Sequence, residues 1–131
     1  MKISRSTGYA LVAVGYIAMN YKEGAVLAAR ISKEYGIPLE YLLKILQQLV
    51  RANVLRSKRG PRGGFFLAMD AEKITMCQII EAVDGPMITS MHLSEQTKSA
   101  KFTVKMEEVC LKAANQAKSI FENTKLSDMI S

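Results

Sequence analysis

The side chains best suited to chemistry in this sequence are cationic and crowded together. Lys58, Arg59 and Arg62 lie within the segment KRGPRGG, whose glycines permit positive φ and close backbone approach. Three cations so close repel one another unless an anion lies between them. A nucleic-acid backbone supplies such an anion, and an arginine at an exposed loop tip suits a narrow minor groove. A second group is Glu40, Tyr41, Lys44, Gln48 and Arg51, which share one side of a helix at their spacing and can donate, accept and stack. A solvated helix face is the ordinary reading of such a group, but its position just before the basic loop favours DNA.

No catalytic constellation accompanies these groups. There is one histidine, His92, with no partner at ligand spacing, and no G-x-S-x-G motif. The glycine-rich segment ends in no Lys-Ser/Thr, so it is not a phosphate-cradling loop. An enzyme is not expected, nor a metal or cofactor. Cys77 and Cys110 stand 33 positions apart and offer no disulfide framework. Cys77 reads as a small buried hydrophobe, whereas Cys110 falls within a long helix at an expected core position. There it becomes a possible redox residue if it faces a symmetry mate.

The elements that must position these groups follow from apolar spacing. Ser4 or Ser6 can cap a first helix, whose 11-residue apolar run at 9–19 falls short of the ~20 that cross a bilayer. A second helix is predicted over 25–35, with Leu27, Ile31 and Tyr35 inward and Gly36 as its stop. Pro38 suits the first position of a third helix, 38–52, whose stripe of Leu39, Leu42, Leu43, Leu46, Leu49 and Val50 docks inward. Two helices joined by a tight glycine turn, the second polar on its outer side, form a helix-turn-helix. Two β-prone runs at 54–57 and 65–68 make a hairpin around the basic loop, which is a wing. Thr75 and Gln78 have capping-box spacing for a fourth helix ending near residue 83. Residues 86–101 show no period and read as a loop. In a final long helix Phe102, Met106, Val109, Ala113, Ala117 (or Gln116) and Ile120 alternate four and three apart, the seam of a helix pair. A short turn at 126–130 closes the chain.

Charge sharpens the division of labour. Residues 1–64 hold 11 Lys/Arg against Glu23, Glu34 and Glu40, a net of +8, while residues 65–131 hold 7 against 9 acids, a net of −2. A one-sided basic surface is the electrostatic signature of phosphate binding. At 131 residues the chain fits one globular unit plus an appendage. With no signal-peptide cleavage pattern and no spanning segment, a cytoplasmic protein is expected.

Four stretches then carry a resemblance: MKIS with Tyr9-Ala10, IS…GIP..YL.KIL..L at 31–49, SKRGPRGGFFL at 57–67, and I…II.AVDGP at 74–86. Together they resemble the IscR/NsrR/CymR-type (Rrf family) winged-helix regulators of bacteria, over about two thirds of the chain. The resemblance implies a homodimer on a partly palindromic operator, recognition helices in successive major grooves and wings in flanking minor grooves. It places base reading on Glu40, Tyr41 and Lys44, the minor-groove arginine on Arg59, and Lys2 and Ser4 beside backbone phosphates. Several family members sense through an iron–sulfur cluster held by three cysteines between the fourth and the long helix. The corresponding loop here has none, so the chain looks closer to the cysteine-free branch, where that loop can serve a protein partner or a small ligand.

The expectation is a mainly α protein with a small β-hairpin. It comprises a winged helix-turn-helix at 1–84, a sensor or partner loop at 85–101, and a dimerisation helix with a closing turn at 102–131. Its expected function is sequence-specific DNA binding, as a homodimeric repressor. The alternatives are a regulator working mainly through a complex with a partner metabolic enzyme, and a metal or redox sensor.

Overall fold

A computed structural model describes residues 2–88 and 91–131. The described chain folds into seven α-helices and one antiparallel hairpin. In order these are α1 (Arg5–Met19), α2 (Ala28–Tyr35), α3 (Leu39–Arg51), β1 (Leu55–Lys58), β2 (Gly64–Leu67), α4 (Met76–Asp84), α5 (Leu93–Gln96), α6 (Lys101–Glu122) and α7 (Leu126–Ile130).

Helix α1 starts at Ser4, whose hydroxyl accepts from the Thr7 N–H. Small Ala10 and Ala13, with Val14 and Ile17, are buried to 1% exposure or less, which lets α3, α4 and α7 approach the helix closely. Around this axis Leu42, Leu46 and Leu49 of α3 reach zero exposure. Each such leucine contributes about 1.5–3 kcal/mol of burial. The helix-turn-helix corner is set by Gly36 in the left-handed region (φ 66°) and by Ile37, which is buried and whose carbonyl accepts from the Ser32 hydroxyl. Pro38 stands one residue ahead of α3 as its cap, with its carbonyl accepting from the Leu42 N–H.

Expectations for α2, for α3 and for the stretch 86–101 are corrected here. Helix α2 begins at Ala28, three residues late, because Val26 forms a β-bridge with Phe65, exchanging two backbone hydrogen bonds of 2.8 Å. The stripe drawn through α2 consequently fails: Ile31 is buried, but Leu27 and Tyr35 are about half exposed. In α3 the inward residues are Leu42, Ile45, Leu46 and Leu49, while Leu39 and Leu43 face outward. Finally, the stretch 86–101 is not all loop. It holds α5, fastened to α6 where the Ser94 N–H donates to the Glu107 carboxylate at 3.1 Å.

The hairpin pairs Leu55 with Leu67 through to Lys58 with Gly64, one residue further along at the first strand and one earlier at the second than the β-prone runs suggest. Thr75 and Gln78 do form a capping box, the Thr75 N–H donating to Gln78 Oε1 at 2.8 Å and the Gln78 N–H to Thr75 Oγ1 at 3.2 Å. The long helix returns its end to this corner: the Met76 N–H donates to the Thr124 carbonyl and the Leu126 N–H to that of Ile74. Helix α7 then packs on α1, with Leu126 buried.

Candidate nucleic-acid interface

Four buried residues turn one side of α3 inward, so the opposite side is presented as a unit. Glu40, Lys44, Gln47 and Arg51 all lie exposed on it, with Leu43 beside them. Gln47 escaped the reading of the sequence, which picked its neighbour Gln48. In the fold Gln48 is half-buried and Gln47 stands at the middle of the outer face. The signal that could have found it was Ile45, whose burial turns the helix away from the leucine-only stripe.

Tyr41 is held differently from its neighbours. Its hydroxyl is hydrogen-bonded to that of Ser6, and its ring meets the ring of Tyr9 edge-on at a centroid distance of 5.7 Å. These contacts pin the first turn of α3 to the start of α1. A stacking pair of this kind adds about 0.5–1.5 kcal/mol beyond the area it buries. Tyr41 still exposes 38% of its surface.

At the wing, Lys58, Arg59 and Arg62 are exposed, and among the described residues no carboxylate forms an ion pair with any of them or with Lys44. Among the described residues these cations are therefore left without a paired carboxylate. The loop that carries it is shaped by sterics as well as by charge. A Cβ on Gly63 would lie 2.4 Å from the Lys58 carbonyl oxygen, and one on Gly64 (φ 139°) 2.4 Å from that of Val26. Gly64 thus lets the 26–65 bridge close, which ties the wing to the segment leading into α2.

Lys2 is exposed, whereas the Ser4 hydroxyl is engaged inside the chain. Besides capping α1 it donates to Asp84 Oδ1 at 2.6 Å, and the Ser4 N–H reaches Asp84 Oδ2 at 3.3 Å. Desolvation alone would raise the Asp84 pKa, but donation from Ser4 and Thr7 together outweighs it and holds the carboxyl below its ordinary value.

The expected seam residues run along α6. Phe102, Met106, Val109 and Ile120 are 57–67% exposed, and Ala113 is exposed while Ala117 is partly covered. Cys110 is exposed too, which corrects its placement as a core residue of the single chain. Cys77 is buried as expected. Desolvation first, and then the nearby Glu81 carboxylate, push its thiol up to about 11. Glu81 also accepts from the Met87 N–H at 2.8 Å and lies 3.7 Å from Lys118 Nζ, linking α4 to α6.

No helix among the described residues is long and apolar enough to cross a membrane. Nor does any group of three or more His, Cys, Asp or Glu side chains among them converge as metal ligands would. His92 Nδ1 lies 3.2 Å from Glu95 Oε2.

The sequence profile of the Rrf2 family, described as iron-dependent transcriptional regulators, matches residues 3–131. An Aquifex aeolicus protein named as a candidate HTH-type transcriptional regulator is 32% identical over 136 residues, spanning 99% of this chain and 92% of that one. The HTH-type transcriptional regulator IscR of Cereibacter sphaeroides is 39% identical over 94 residues, 70% of this chain and 60% of that protein. Among solved structures, CymR (YrzC), the global cysteine regulator of B. subtilis, superposes with a TM-score of 0.79 at 22% identity, over 99% of this chain and 96% of the other.

The residues of this chain do not fit the iron–sulfur form of iron dependence. Such clusters take several thiolates, and the chain has two cysteines, one of them buried with its proton held tightly. The fold and the sequence agree on the rest. The chain belongs to the Rrf2 family of winged-helix, DNA-binding transcriptional regulators, and it is not an enzyme.

Proposed function

We propose that the protein is a homodimeric repressor that reads a palindromic operator, placing α3 in the major groove and the wing at 58–64 in the adjoining minor groove. The observation that carries this reading is the outer face of α3. Its Glu40, Lys44, Gln47 and Arg51 offer acceptors and donors to base edges, and among the described residues none of them is engaged in an ion pair. Arg59, Arg62 and Lys58 add the phosphate and minor-groove component, with Lys2 beside the backbone.

Dimerisation is supported by α6. Four large apolar side chains more than half exposed on one helix make an unfavourable surface for an isolated chain, and a second copy of the same stripe is its natural complement. Two-fold pairing of α6 would give two α3 helices related by the symmetry of a palindrome.

The test is selection of binding sites from a random duplex library, followed by titration at several salt concentrations. An enriched inverted repeat, with affinity falling linearly on a log–log salt plot, is expected. Equal affinity for every duplex would refute sequence-specific regulation.

A further inference from the structure

Two leucines of α3 are turned outward and left partly exposed. Leu39 and Leu43, one turn apart, are 41% and 38% exposed, whereas the other α3 leucines, Leu42, Leu46 and Leu49, are at zero. Leu43 sits next to Lys44, with Glu40 one turn before it and Gln47 one turn after it, all exposed. It therefore lies on the flank of the polar face, with half-buried Val50 on its other side. A single surface leucine calls for no explanation. One set beside the side chains proposed to address base edges does, because it can neither donate nor accept there.

The major groove offers one apolar group, the C5-methyl of thymine. Facing any other base, Leu43 would strip water from a donor or acceptor and return nothing, which penalises that base. We propose that Leu43 packs on a thymine methyl and so fixes one A·T pair, with its thymine on a defined strand, in each half-site. Leu39 lies on the same side one turn earlier and widens the apolar contact. The inference rests on the reading of α3 as the base-reading helix, and it names the base that an apolar residue on that helix selects.

Deoxyuridine provides the test, since it pairs as thymine does and lacks only the methyl. The duplex selected by the wild-type protein is resynthesised with each thymine in turn replaced by deoxyuridine, and binding is followed by fluorescence anisotropy. The expected result is one symmetry-related thymine pair whose demethylation weakens the wild type about fourfold per half-site, the value of one buried methyl. Leu43→Ala, an exposed substitution checked for unchanged thermal unfolding, is expected to bind the thymine and deoxyuridine duplexes equally. If no demethylation affects the wild type, or if Leu43→Ala keeps the same deoxyuridine penalty, the contact is wrong while α3 as a reading helix stands. If selection enriches no sequence at all, that reading fails and the Leu43 contact falls with it.

Discussion

Helices α3 and α6 are built on similar amphipathic plans and meet opposite fates. In α3 the chain itself covers the apolar side, to zero exposure at Leu42, Leu46 and Leu49, and leaves the polar side to solvent. In α6 only Thr103 is buried, and Phe102, Met106, Val109 and Ile120 stay open although the helix has 22 residues. Apolar periodicity thus marks a face and does not say whether the chain itself covers it. The first helix is held by its own fold with its polar side open, while the second leaves an apolar side open, which the proposed dimer would cover.

The contrast can be broken at its two ends. Leu46→Ala removes a fully buried side chain from the middle of the core, so it should cost about 2–5 kcal/mol of unfolding free energy in chemical denaturation. Val109→Glu should leave the helical circular dichroism intact but weaken self-association at least about thirtyfold in sedimentation, as a lost interface hot spot would. If Val109→Glu unfolded the chain and Leu46→Ala did not, the roles assigned to the two helices would be reversed.

The wing sharpens the same comparison, because it combines a structural glycine with a solvent-facing arginine. Gly64→Ala forces a Cβ into the Val26 carbonyl from a positive φ, and a loss of about 2–4 kcal/mol is expected. Arg59→Ala, a few residues away and exposed, should leave unfolding unchanged and weaken operator binding by about 1–3 kcal/mol. The smallest effect belongs to the contact between Ser4 and Asp84. Its carboxyl titrates below the ordinary value, so its contribution is present above about pH 4, the unfolded-state range, and is lost as pH falls through the lower folded value. Asp84→Ala should cost under about 1 kcal/mol at pH 7, since the carboxylate is exposed, and the gap from wild type should close on acidification in thermal melts.

Much of this was legible in the sequence where the cause is local. The Thr75–Gln78 capping box, the Gly36 corner and the basic wing tip each depend on residues a few positions apart. The misread features depend on distant ones. Val26 leaves α2 because Phe65, far along the chain, offers it a bridge. Helix α3 is so rich in Leu and Ile that more than one apolar stripe can be drawn on it, and packing on α1 and α4, not spacing, selects Ile45 over Leu39 and Leu43. That choice rotates the outer face, brings Gln47 to its centre and half-buries Gln48. Cys110 looked like a core residue for a related reason, since the large residues of the apolar stripe beside it are more than half exposed.

The central claim is that two copies joined through α6 present two α3 helices and two wings to one operator. Hydroxyl-radical and methylation-interference footprinting of the wild-type protein on its selected duplex tests it most directly. The account predicts a two-fold symmetric pattern, with guanine interference in two major-groove segments separated by a whole number of helical turns and minor-groove protection beside each. A single asymmetric patch, or protection spread evenly along the backbone, would contradict it.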